Sequence, residues 1–160
     1  MKQEEKIKIT FFNQINNLSS LIVTLILYYC PLLFVNKDFL KLGYFHILPI
    51  LLTIPTFCIH TLYLLENYGK EYSINETYIN DKTNNINYSN ESILKIEVHK
   101  YGNLPNGNFS LPFHSYKFCK VILKDGKSFI ITSLMKPNID EFLKQKLKGV
   151  VFDRHYDYFL

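Results

Sequence analysis

From Tyr44 to Leu65 the chain runs 22 residues without a formal charge, YFHILPILLTIPTFCIHTLYLL. As a helix this run is about 33 Å long, enough for a hydrocarbon core of about 30 Å. Twelve of its residues are Leu, Ile or Phe. Together they favour insertion by about 4–7 kcal/mol before the polar positions are counted. Pro49 and Pro55 would break backbone hydrogen bonds in a soluble core helix, whereas neighbours in a membrane re-satisfy the freed carbonyls.

A second apolar run, Leu18 to Val35, LSSLIVTLILYYCPLLFV, precedes it. Its 18 residues make a helix of about 27 Å, near the minimum for a span. Between Leu18 and Leu65 only Lys37, Asp38 and Lys41 are charged. The connecting residues 36–43, NKDFLKLG, allow only a return to the same side. These features predict a two-helix transmembrane hairpin. Residues 1–17 form an N-terminal cytoplasmic segment, 18–35 the first membrane helix, 36–43 a short loop and 44–65 the second helix. A cleaved signal peptide fits poorly, because a small-residue cleavage pattern is missing and a second apolar run follows closely. Basic flanks set orientation. Lys2, Lys6, Lys8, Lys70 and Lys82 outnumber Lys37 and Lys41, so both termini are expected in the cytoplasm of an integral inner-membrane protein. Tyr28 and Tyr29 are expected to face the partner helix, and His46 and His60, near opposite ends of the second helix, to snorkel or to hydrogen-bond between helices near the interfaces.

Charge is frequent from Glu66 onward, with 13 Lys plus Arg against 11 Asp plus Glu. The whole chain carries a formal charge of +4, spread without the basic stripe that nucleic acid requires. The hydrophobic period also changes to that of strands. YSINETYIND contains two short alternating runs, and SILKIEV a third. Gly102–Pro112 reads as a loop. In CKVILKDGKSFIITS, Asp125-Gly126 predicts a two-residue hairpin turn, which pairs Val121 with Ile130, Leu123 with Ser128 and Cys119 with Thr132. In IDEFLKQKL, Ile139, Phe142, Leu143 and Leu147 form one apolar stripe. Asn138 and Glu141 fit a capping box and Gly149 a terminator. The expected fold is therefore α+β. A sheet or partial barrel over 66–149, closed by a C-terminal helix, follows the membrane hairpin, and 150–160 remain as an aromatic tail.

These strand and helix segments, about Tyr72 to Leu147, resemble the pleckstrin-homology-like fold. With two preceding membrane helices the chain is similar to bacterial membrane-anchored pleckstrin-homology-like domain proteins. The resemblance implies a scaffold or interaction role at the membrane and no known reaction.

No catalytic motif is present: the chain lacks G-x-S-x-G, H-E-x-x-H and a phosphate loop. His99, His114 and His155 have no ligand-like spacing, so neither a metal nor a cofactor is expected. Cys30, Cys58 and Cys119 make no C-x-x-C pair and read as small apolar thiols. The predicted hairpin sets Lys124 opposite Lys127 with Lys120 on the same face, a low-level candidate for contact with anionic lipid headgroups, each lysine contributing about 1 kcal/mol near an anionic surface. The expected function is a non-catalytic, membrane-anchored interaction or scaffold module. Its partners would be the lipid bilayer, an unknown membrane or cytoplasmic protein, or a second copy of itself. The alternative is a small membrane enzyme or transport accessory component with a site between the helices and the β domain.

Overall fold

Alternation of apolar and polar residues drives the chain after Glu71 into short strands, and asparagine and aspartate side chains turn them. Coordinates come from a computed structural model that describes residues 4–35, 43–101 and 111–157. β1 (Glu5–Lys8), β2 (Glu71–Ile74), β3 (Tyr78–Asp81) and β4 (Ile86–Ser89) form one antiparallel sheet in that order. Between β2 and β3 the Asn75 Oδ1 accepts from the backbone N–H of Thr77 and Tyr78, at 2.8 and 2.9 Å. Between β3 and β4 the Asp81 Oδ1 accepts from Thr83 and Asn84 in the same manner, at 2.9 and 3.1 Å. Both are turns closed by a side chain standing in for a carbonyl.

The second sheet has the order β7-β6-β5-β8, built from β5 (Ile93–Tyr101), β6 (Lys117–Leu123), β7 (Ser128–Thr132) and β8 (Phe152–Asp157). The two sheets share one apolar core. Ile7, Tyr72, Ile74 and Ile79 enter it from the first, and Ile96, Val98, Cys119, Val121 and Ile131 from the second. Helix α3 (Ile139–Lys146) adds Ile139, Phe142 and Leu143, with Leu147 just beyond its end. Burial raises the Cys119 thiol to about 12, so it is an inert core group.

Several expectations need correction. The β6–β7 register is displaced by one residue: Val121 pairs with Phe129, Cys119 with Ile131 and Ile122 with Ser128. The turn is a three-residue loop, Lys124 to Gly126. Leu123 N–H donates to the Lys127 carbonyl at 2.9 Å, and Gly126 takes φ +86°. That is a left-handed bulge position, favourable for glycine. Asn138 does not cap α3. It lies at φ 51° with no side-chain cap, and its Oδ1 accepts instead from Lys117 Nζ at 3.4 Å. Nor does the chain end its fold with a helix. β8 arises in the stretch read as an aromatic tail and pairs in parallel with β5, Ile96 opposite Phe152 and His99 opposite His155. It covers an edge that would otherwise expose unpaired backbone groups. The segment read as an N-terminal extension likewise supplies β1, with Ile7 opposite Tyr72. A sheet closed by a C-terminal helix, as in the pleckstrin-homology-like arrangement, is therefore replaced by two four-stranded sheets, one with a parallel edge. Most of the loops read at Gly102–Pro112 and 36–43, and the last three residues of the tail, lie outside the described residues.

The membrane architecture also differs. Helices α1 (Phe11–Val35) and α2 (Ile47–Asn67) are both present and in contact. Among the described residues, however, only one helical segment, Gly43–Asn67, is long and apolar enough to cross a membrane. The two-helix transmembrane hairpin is corrected to this single candidate span. The physical reason lies in α1, whose first two turns carry Asn13, Gln14, Asn16 and Asn17 and belong to the β domain. Asn13 Nδ2 donates to the Met135 carbonyl at 2.8 Å and Asn17 Nδ2 to the Ser133 carbonyl at 3.0 Å. Ser133 Oγ donates to Asn17 Oδ1 at 2.7 Å, and Ser115 Oγ to the Asn17 carbonyl at 3.0 Å.

Asn67 does the same for α2. Its Nδ2 donates to the Ile130 carbonyl and its Oδ1 accepts from Thr132 N–H, both at 2.8 Å. One amide thus satisfies two backbone groups on β7, the outer strand of its sheet. Asn67→Ala is expected to leave the buried Thr132 N–H and the part-buried Ile130 carbonyl without this partner, lowering stability by about 2–4 kcal/mol. Urea unfolding of the detergent-solubilised chain measures this.

Candidate membrane-facing site

An α-helix in water hides its apolar stripe, and α2 does not. Ile47, Leu48, Ile50, Leu51, Ile54 and Phe57 are all at least half exposed, as are Leu62 and Leu65 further along. On α1, Val23, Ile26 and Leu27 are more than half exposed, and Ile22 nearly so. A contiguous surface of this kind exceeds what a soluble monomer tolerates and marks a lipid or partner interface.

The opposite face of α2 explains how this surface is held. Thr56, Ile59, His60, Tyr63 and Asn67 are buried. His60 Nδ1 and the Tyr116 hydroxyl are hydrogen-bonded at 2.8 Å. Tyr63 packs edge-on against Tyr116 and Phe118, with ring centroids at 5.6 and 6.0 Å. These contacts and Leu134 make a second, smaller apolar cluster. The histidine read as an interhelical group is instead the joint between helix and domain. His46 matches the reading better, since its Nδ1 lies 3.0 Å from the Tyr29 hydroxyl, and Tyr28 donates to the Phe45 carbonyl at 2.5 Å. The two tyrosines within α1 therefore lock the far ends of the helices together.

Apart from Pro49, the buried residues of α2 all lie in its second half, Thr56 to Asn67. The helix runs along β7 and the 3₁₀ turn Pro112–Ser115. The whole 43–67 segment is about 37 Å, longer than a bilayer core of about 30 Å. Between the projecting helices lies a cleft of about 330 Å³, lined by Thr24, Leu25, Leu27, Tyr28, Leu48, Pro49, Leu52 and Leu111.

The three lysines singled out in the sequence are not brought together. Lys120 lies mid-strand, opposite Glu97 on β5 and Ile130 on β7. Lys124 and Lys127 flank the turn, where Lys127 pairs with Asp125 at 3.4 Å and both lysines line a cleft with Ile86 and Tyr88. The one-residue register shift removes the expected cross-strand pair. The turn also lies beyond the C-terminal end of α2. Asn67 meets β7 at Ile130, and Lys127 is three strand residues further away, about 10 Å. His60, two turns back toward Gly43, meets Tyr116 at the other end of β6. The turn thus sits at the pole of the domain opposite the projecting helices.

Nearer the helices, Asp140 is buried with its Oδ2 at 2.5 Å from Lys100 Nζ and its Oδ1 at 3.4 Å from Lys117 Nζ. Burial alone would raise its pKa, but the hydrogen bonds and charges of the two lysines outweigh it and hold the carboxyl below its ordinary value. A carboxylate lowered on folding adds stability that is present at neutral pH and lost as pH falls below about 4. Comparison with protein-family models, with curated proteins and with solved structures returns no match to this chain.

Asp140→Asn is expected to lower stability at pH 7 by about 1–3 kcal/mol and to flatten its decline below pH about 4, read from denaturant midpoints across pH. The chain contains no tryptophan, so single-tryptophan variants report depth without background. In vesicles with brominated acyl chains, Phe57→Trp is expected to be strongly quenched and Lys124→Trp to match its unbrominated control.

Proposed function

We propose that this chain is a membrane-anchored, non-catalytic interaction or scaffold module that holds a two-sheet α+β domain against the headgroups. The unburied apolar face of α2 carries this reading, because its opposite face is fastened to the domain by Asn67, His60 and Tyr63. The anchor and the domain are therefore one rigid piece, with no linker to let the domain swing. β1 precedes α1 and pairs with β2, which follows α2. The start of α1 and the end of α2 are accordingly both fastened to the β domain. The basic residues near these ends, Lys6, Lys8, Lys70 and Lys82, favour the cytoplasmic side. A bound partner would meet a surface fixed in both height and orientation, which suits a scaffold.

The test is membrane partition. An aspartate near the centre of an inserted helix opposes insertion by about 2.5–3.5 kcal/mol. Two of them cancel the gain from the apolar residues of α2. The native chain is expected in the membrane fraction after high salt and alkaline carbonate, and the Leu51→Asp/Ile54→Asp double variant in the supernatant. A native chain that stays folded, monomeric and soluble without detergent overturns the proposal.

A further inference from the structure

Parallel pairing of β5 with β8 puts Glu97 opposite Asp153 and His99 opposite His155. Residues two apart on a strand share a face, so Glu-Val-His and Asp-Arg-His lay two carboxylates and two imidazoles side by side in a tile. One donor atom from each of Glu97, Asp153 and His155 lies within 4.8 Å of the others. The His99 ring stacks on His155 with centroids at 5.0 Å and 16° between planes, and its Nε2 is 3.8 Å from Glu97 Oε2. The carboxylates already converge on a cation. Lys95, two residues before Glu97 on the same face, places its Nζ 2.7 Å from Glu97 Oε1 and 3.1 Å from Asp153 Oδ2.

We propose that Glu97, Asp153 and His155 form a binding site for a divalent first-row transition ion such as zinc, with Lys95 holding its place when no metal is bound. Mixed imidazole and carboxylate donors are the set that borderline ions such as Zn²⁺ and Co²⁺ prefer. Three protein ligands leave coordination positions for water, as in an open rather than a closed structural site. His99 is a positioning residue: it supports the His155 ring through stacking and the Glu97 carboxylate through its Nε2. Metal entry displaces the Lys95 ammonium, which then swings to solvent on its four-carbon stem. Metal bound here would also staple the last strand to β5, linking ion occupancy to attachment of the C-terminal segment. Spacing along the sequence hides such a site, because Glu97 and its partner Asp153 are 56 positions apart and only the strand pairing makes the donors neighbours.

Isothermal titration of the untagged full-length chain in detergent with ZnCl₂, and visible absorption with Co²⁺, tests it. The expected result is one saturable ion per chain, weakened at least about tenfold by Asp153→Asn and by His155→Ala. Lys95→Met is expected to bind more tightly than the native chain, a gain that a misfolded variant does not produce. Absence of saturable binding, binding unchanged by Asp153→Asn and His155→Ala, or weaker binding in Lys95→Met overturns the proposal.

Discussion

Asparagine side chains hold the two long helices to the β domain, and the rest of the architecture follows from that. Asn13 and Asn17 on α1 and Asn67 on α2 reach the backbone of 130–135, the stretch that leaves β7 and turns toward α3. An outer strand normally presents unpaired N–H and C=O groups to solvent. Here one side of that strand is occupied by the amide of a helix end, which both satisfies it and fixes the helix direction. Where the bonded groups are buried, as at Ser133 and Thr132, each loss costs more than the net value of a surface hydrogen bond.

A fixed helix direction converts an apolar surface into a defined posture. The exposed side chains of α2 point away from the clamp, so the insertion proposed for them would orient the whole domain. With α2 inserted as proposed, the His60–Tyr116 contact would lie where hydrocarbon gives way to headgroups. Both groups carry an apolar body and a polar tip, which suits such a boundary. The lysine-bearing turn lies beyond the C-terminal end of α2, about 10 Å along β7 from the Asn67 contact.

Much of this was legible in the sequence, and the failures have physical causes. The uncharged 44–65 run, the Tyr28 and Tyr29 contacts and the buried stripe Ile139, Phe142, Leu143 and Leu147 follow from local periodicity. The hairpin register failed because an Asp-Gly pair serves equally a two-residue turn and a three-residue turn with a glycine bulge. β1 and β8 escaped because each is short and gains its stability from a strand far away in the chain, so no local pattern announces it. The asparagine clamp was visible only as asparagines bordering apolar runs, NNL before one and EN after the other. That signal reads as a helix end until the facing strand is known. The true extent of α1, which begins seven residues before the apolar run, was masked by the same polar turns that bind it to the domain.

Pairing between β1 and β2 has a consequence for how the molecule is made. Sixty-five residues separate Ile7 from its partner Tyr72, and both long helices lie between them. During synthesis β1 has no mate until α2 and β2 have left the ribosome, and the rim of β5 stays open until Phe152–Asp157 emerge. The helices are therefore complete while both sheets still lack a strand, and pairing of β1 and β8 closes the structure.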